Sequence, residues 1–141
     1  MKTPLHLWVV AVLSILWNAG GAYDYVMTQF RNIAYLEMLT PEQLLYIVNA
    51  PAWFDAAWAT GVWASVVGSV LLLARSRLAV AAFAVSLAGL AVSSIYSFVI
   101  AQPNSIAISG SFAIVFTGVV VVVLVALWGY ARAMARRGVL R

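Results

Sequence analysis

Four long apolar runs constrain the fold of this chain more than any other feature. They cover residues 5–22, 52–74, 78–101 and 106–130, and none of them contains lysine, arginine or glutamate. About 20 apolar residues are enough for a helix to cross the hydrocarbon core of a bilayer. A helix also satisfies its own backbone hydrogen bonds, as lipid requires. The sequence therefore predicts an all-α polytopic membrane protein, a bundle of four transmembrane helices that forms one membrane domain over residues 1–141.

The composition indicates that lipid surrounds most of the chain. The lipid bilayer is therefore its first predicted partner. Hydrophobic residues make up 65% of the chain and charged residues 9%, against about 45–50% and about 25% in soluble domains. The net charge is +4, but the 8 basic residues lie in short segments between apolar runs, so nucleic acid is not a predicted partner. The chain has no cysteine and one histidine, His6, which excludes disulfides, thiolate catalysis and multi-histidine metal sites. No cofactor is predicted.

The basic residues predict the orientation of the spans. With four spans both termini lie on one side. That side holds these bases: Lys2, Arg75, Arg77, Arg132, Arg136, Arg137 and Arg141. The other side holds Arg31 and all four acids, Asp24, Glu37, Glu42 and Asp55. Because basic loops stay in the cytoplasm, we expect both termini there, in a bacterial inner membrane. A cleaved signal peptide is the alternative interpretation of the first run and would leave three spans.

The outer segment, residues 23–50, is predicted to form a short helical cap. From Tyr23 onward the apolar residues follow the spacing of an amphipathic helix, which continues the first span with a bend at Gly20 and Gly21. A second helix begins at Thr40, because Thr-Pro-Glu-Gln is a capping box with proline at the first helical position. Such a cap lies on the bundle or in the headgroup layer.

Small residues recur at every fourth position in two of the runs. The second run has Gly61, Ser65 and Ser69, and the third has Gly89, Ser93 and Ser97. This spacing lets helices approach closely in lipid. It predicts packing within the bundle or, alternatively, a homodimer seam.

The outer side carries the only notable cluster of polar residues. Together with Asn18, which lies about one turn inside the outer interface, it gives these candidate ligand-binding residues: Asn18, Asp24, Tyr25, Gln29, Arg31, Asn32 and Asp55. One interpretation is an ion pair of Arg31 with an acid, which pins the cap to the second span. The other is a small polar-ligand site beneath the cap. No triad, phosphate loop or metal motif is present, so an enzyme is not predicted. A proton-driven exporter is disfavoured because the middle of the membrane holds no ionisable residue.

Several short segments resemble a family of small, mostly alphaproteobacterial membrane proteins that are labelled sugar transporters. The segments are Leu16-Trp17-Asn18-Ala19, Asp24-Tyr25, Thr28, Arg31-Asn32, Tyr35-Leu36 and Pro51-Ala52-Trp53. The resemblance implies a four-span fold, a bacterial inner membrane and a role in transport.

Three functions remain open at this point. The first is transport of a small neutral sugar or polyol by a dimer, along a path of hydroxyl residues that includes Ser65, Ser69, Ser93, Ser94 and Ser97. The second is an accessory or assembly subunit of a larger membrane complex. The third is a membrane enzyme or lipid-binding protein that uses the outer acidic cluster.

Overall fold

The computed structural model describes residues 2–141, and every regular element in this part of the chain is helical. The helices are α1 (Leu5–Gln29), α2 (Ile33–Leu36), α3 (Pro41–Asn49), α4 (Ala52–Leu73), α5 (Leu78–Ile95), α6 (Ser105–Ser109) and α7 (Ser111–Arg136). A π-helical segment, Tyr96–Ile100, continues α5. The helices that are long and apolar enough to span a membrane are Leu5–Gln29, Ala52–Leu73, Leu78–Ile100 and Ser111–Arg136. The predicted all-α fold with four candidate spans and a helical cap is confirmed.

The bounds of two helices differ from the predicted spans, and the backbone conformation at one residue explains each difference. The first span continues past residue 22, as predicted, but this helix ends at Gln29, just before Arg31 adopts a left-handed φ of 55°, a conformation that residues other than glycine rarely take. The last span begins at Ser111 rather than at residue 106, because Gly110 adopts a φ of 64° and separates it from α6. Only glycine adopts this region without a steric penalty.

The four long helices are arranged side by side around α4 and α5. Helix α4 packs against α1 and α5, and α7 packs against α5. At one end, called here the base end, lie the start of α1, the α4–α5 loop and the end of α7. There the His6 Nδ1 and the Tyr130 hydroxyl are 2.5 Å apart and join α1 to α7. At the opposite end, called here the cap end, lie α2, α3 and α6.

Helices α4 and α5 make backbone contact at two glycines. A Cβ placed on Gly89 would lie 2.6 Å from the Gly61 nitrogen and 2.7 Å from the Ala57 carbonyl oxygen. One turn away, the Ser86 hydroxyl donates to the Gly61 carbonyl at 2.5 Å. The small residues therefore let these two helices approach within one chain, as small residues do in membranes. The predicted homodimer through the same faces stays a prediction.

The base end is closed by the last residues of the chain. The Arg77 backbone N–H donates to the Arg141 carbonyl at 2.9 Å, and the Arg141 N–H donates to the Arg75 carbonyl at 2.8 Å. Val139 and Leu140 are thereby buried. They join a core that also contains Leu7, Ala11, Leu72, Ala79, Phe83, Leu124, Leu127, Ala131 and Met134. This core holds the base half of the bundle together.

Candidate functional site

Asn18 lies in a polar network between α1 and α4, inside the apolar part of the bundle. Its amide nitrogen donates to the Ser69 hydroxyl at 2.8 Å, and lies 3.3 Å from the Ser14 hydroxyl and 3.4 Å from the Ser65 carbonyl. The Ser14 and Ser69 hydroxyls are 2.5 Å apart. All four side chains are buried. The network thus lies in the seam between two helices.

The hydrogen bonds of this network favour a structural role for Asn18. Within residues 2–141, no fully buried side-chain nitrogen or oxygen lacks a hydrogen-bond partner, and the Asn18 amide nitrogen is used within the network. Hydrogen bonds between membrane helices contribute about 0.6 kcal/mol each on average. Ser69 also donates to the Ser65 carbonyl at 2.8 Å, which satisfies the hydroxyl within its own helix. The network connects α1 to α4 without charge.

The two acids that belong to the predicted ligand set are paired with neutral side chains. The Tyr35 hydroxyl donates to the Asp24 carboxylate, and the Gln29 amide donates to the Asp55 carboxylate at 3.3 Å. Arg31 is exposed, beyond the end of α1. The expected ion pair of Arg31 with an acid is therefore not formed in the part of the chain that the structure describes. The left-handed backbone at Arg31 turns the chain from the end of α1 toward α2.

The bond to Asp24 affects the ionisation of Tyr35. Partial burial, the hydrogen bond to Asp24 and the negative charge of Asp24 raise the pKa of Tyr35 well above its ordinary value of 10.0. The phenol therefore stays protonated and keeps donating at any physiological pH. This pair connects α2 to α1 and holds the first part of the cap in place.

The remaining predicted residues also have partners of their own. The Tyr25 ring packs edge-on against Trp58 and Trp63 of α4, with centroid distances of 4.9 and 6.1 Å. The Asn32 side chain caps α2 by accepting from the Tyr35 N–H at 3.0 Å. The candidate residues thus do not converge on one site, because they are distributed among the helix seam, the cap contacts and a helix terminus.

A pocket at the cap end, called here the cap pocket, brings together residues that sequence reasoning did not select. It has a volume of about 160 Å³ and is lined by Glu42, Leu45, Tyr46, Asn49, Tyr96, Ala101, Gln102 and Pro103. These residues come from α3, from the π-helical segment and from the turn after it. One carboxylate, two amides and two phenols therefore surround a small volume that is open on one side.

Aromatic contacts fix the inner wall of the cap pocket. The Tyr96 ring lies 4.6 Å from Phe54, 5.4 Å from Trp53 and 5.9 Å from Tyr46, measured between centroids. The Tyr46 hydroxyl is 2.7 Å from the Ser97 hydroxyl, so the cap helix α3 is bound directly to α5. π-Helical turns are rare and occur often at functional sites. Here the π-helical segment begins at Tyr96, in the wall of the pocket.

The sequence carried only a weak signal for this pocket. Tyr46 and Tyr96 are 50 positions apart in sequence and look like ordinary interfacial aromatic residues. A tyrosine inside an otherwise apolar span is a hint, since a buried hydroxyl needs a partner. The neighbouring hydroxyl, Ser97, bonds to Tyr46, a pairing that the sequence does not indicate.

The fold and composition together define a class: the chain is a multi-pass helical membrane protein. Comparison with protein-family models, with curated proteins and with solved structures finds no match to this chain. The resemblance to a transporter family therefore stays a prediction. Among residues 2–141 no group of three or more histidine, cysteine, aspartate or glutamate side chains is placed to hold a metal ion.

Proposed function

We propose that this protein takes part in the transport of a small neutral solute, a sugar or a polyol, and that the cap pocket is its entry site. The observation that carries the proposal is the lining of the pocket. Aromatic faces suit the C–H groups of a polyol, whereas the Glu42 carboxylate and the Asn49 and Gln102 amides suit its hydroxyls. A volume of about 160 Å³ equals that of roughly five water molecules, which is enough for a small polyol or part of a sugar ring.

The membrane-embedded polar groups support an uncharged solute. Between the two ends of the bundle the buried polar side chains are hydroxyls and one amide: Ser14, Asn18, Ser65, Ser69, Ser86 and Ser93. A charged solute would need a counter-charge in this zone. In one chain Ser65 and Ser69 are packed in the seam between α1 and α4. A path along these hydroxyls is therefore closed within one chain. For this reason the proposal requires an oligomer whose copies form the path together.

Uptake into proteoliposomes tests the proposal. We expect one member of a panel of labelled sugars and polyols to enter faster than it enters empty liposomes. Glu42→Gln should slow this uptake about tenfold or more at low solute concentration, because a hydrogen bond to a charged group contributes about 1.5–3 kcal/mol. Glu37→Gln is the matched control, since it removes the same charge from an exposed cap residue that does not line the pocket. Uptake no faster than in empty liposomes for the whole panel would reject the proposal.

We propose as the second candidate an accessory subunit of a larger membrane complex, and the exposure of α7 favours it. Only 11% of the most apolar 18-residue stretch of α7 is buried, against 22–28% of the corresponding stretches in the other spans. Phe112, Val115 and Val122 are exposed by 63–68%. Mild extraction followed by native mass spectrometry separates the candidates. A partner at fixed stoichiometry supports the accessory role, whereas a homo-oligomer alone contradicts it and supports the predicted homodimer.

We also propose a bacterial inner membrane as the location, with the base end in the cytoplasm. The asymmetry of the basic residues supports this orientation. Because the chain has no cysteine, Glu37→Cys and Arg136→Cys each introduce a single thiol. A membrane-impermeant maleimide applied to intact cells should label Glu37→Cys and leave Arg136→Cys unlabelled until the cells are lysed. The reverse pattern would overturn the orientation.

A further inference from the structure

A second pocket, which is widely open to its surroundings, lies at the base end, the opposite end of the bundle from the cap pocket. It has a volume of about 440 Å³ and is lined by Lys2, Pro4, His6, Met134, Arg137 and Val139. These residues come from the start of α1, the end of α7 and the segment that follows α7. We call it the base cavity. Its lining has a cationic part and an apolar part.

The cationic part has no acid near it. All four acids of the chain, Asp24, Glu37, Glu42 and Asp55, lie in the cap or in the helix ends beside it. Lys2 and Arg137 therefore face the base cavity without a carboxylate side chain to neutralise them. Arg75 and Arg77 belong to the same end and add to its positive potential. An anion is the ligand that this charge distribution attracts.

The position of His6 is fixed by a contact outside the cavity. Its Nδ1 is 2.5 Å from the Tyr130 hydroxyl, and the two rings meet edge-on with centroids 5.7 Å apart. When the neutral ring accepts the Tyr130 proton at Nδ1, its own proton is on Nε2. His6 then offers a hydrogen-bond donor on the side away from Tyr130.

The apolar part of the lining is fixed as well. The Val139 N–H donates to the Met134 carbonyl at 2.9 Å, and both side chains are buried. The Arg75 guanidinium donates to the Val139 carbonyl at 3.3 Å, which holds the segment after α7 against the α4–α5 loop. Near the membrane surface, Arg132 stacks on Trp128 with its guanidinium carbon 4.8 Å from the ring centre. Such a pair is typical of the headgroup layer.

We propose that the base cavity binds the phosphate group of an anionic phospholipid, with Lys2, His6 and Arg137 as its donors. The lipid is favoured over free phosphate because the lining beside the donors is largely apolar, through Pro4 and the small accessible parts of Met134 and Val139. That surface suits the glycerol and upper acyl chain of a lipid, whereas a free phosphate ion would leave it unused. Basic pockets between membrane helices recognise anionic headgroups by this combination.

Native mass spectrometry in a neutral detergent with equimolar phosphatidylglycerol and phosphatidylcholine tests the proposal. The wild-type protein should retain one phosphatidylglycerol in preference to phosphatidylcholine. Arg137→Gln should weaken this retention about fivefold, and Lys2→Gln by a similar factor, as expected for one basic group near a headgroup. Equal retention of the two lipids by the wild type would overturn the proposal.

Arg136→Gln is the matched control, because Arg136 is adjacent, equally charged and exposed but does not line the base cavity. It should retain phosphatidylglycerol as the wild type does. If it loses as much affinity as Arg137→Gln, the effect is one of net charge and the specific site is rejected. Equal thermal unfolding midpoints of both variants in neutral detergent confirm that the comparison is between folded proteins.

A measurement with inorganic phosphate shows whether the base cavity binds a lipid headgroup or a free phosphate ion. In neutral detergent without lipid, phosphate alone should leave the thermal unfolding midpoint unchanged, whereas phosphatidylglycerol should raise it. A rise with inorganic phosphate as large as with the lipid would assign the base cavity to a soluble phosphate and overturn the lipid proposal.

Discussion

Replacing Gly89 with alanine tests the backbone contact between α4 and α5. The new Cβ would lie 2.6 Å from the Gly61 nitrogen and 2.7 Å from the Ala57 oxygen. Because both are backbone atoms that cannot rotate away, the helices have to move apart. Overpacking of this kind costs about 1–3 kcal/mol, whereas alanine gains about 1 kcal/mol over glycine within a helix. The Ser86–Gly61 hydrogen bond also weakens, at about 0.6 kcal/mol. We expect a net loss of about 1–2 kcal/mol in the free energy of unfolding.

Reversible unfolding in mixed micelles, followed by circular dichroism, measures this loss against two matched glycines. A Cβ on Gly61 meets its nearest neighbour, the Leu90 nitrogen, at 3.4 Å, and a Cβ on Gly118 of α7 meets nothing within 4 Å. Gly61→Ala should therefore have a small effect, and Gly118→Ala should be neutral or stabilising by up to about 1 kcal/mol. If Gly89→Ala is as stable as Gly118→Ala, the two helices do not touch as described and the reasoning fails.

Three further perturbations address the polar network and the cap. Asn18→Leu should lower the free energy of unfolding by about 1 kcal/mol in the same assay, because its two contacts with α4, at the Ser69 hydroxyl and the Ser65 carbonyl, contribute about 0.6 kcal/mol each; an unchanged value would contradict the role of Asn18. Thr40→Ala should cost about 1 kcal/mol and speed hydrogen exchange within α3 only, whereas Thr60→Ala should leave exchange in α3 unchanged. Tyr35 has a raised pKa, so its stabilising contribution is complete below pH 10.0 and declines above it. A titration of tyrosinate absorbance should lose a component that titrates above pH 10.0 in Tyr35→Phe, whereas loss of a component at pH 10.0 would refute the Asp24 contact.

The hydrogen bonds that begin α3 could be predicted from residues that are close together in sequence. Thr40 and Gln43 form the capping box that their spacing predicts, with the Gln43 N–H donating to the Thr40 hydroxyl at 3.2 Å and the Thr40 N–H donating to the Gln43 side chain at 3.0 Å. Capping depends on residues three positions apart, so sequence is enough to find it. The pairing of charged side chains is different. Asp24 bonds to Tyr35 and Asp55 bonds to Gln29, because the placement of α2 against α1 and of α1 against α4 decides which groups meet.

The sequence by itself determined the class of protein, since apolar runs of this length must cross a bilayer and must do so as helices. It also determined that α4 and α5 carry faces of small residues, but not which helix those faces would meet. Tertiary structure decided that Gly61 meets Gly89 within one chain. It also decided that Tyr46 and Tyr96 form a pocket at the cap end, and that Lys2 and Arg137 line a cavity at the base end. The physical reason is that hydropathy is a property of each segment alone. A pocket depends on distances between segments, which the packing of the helices fixes.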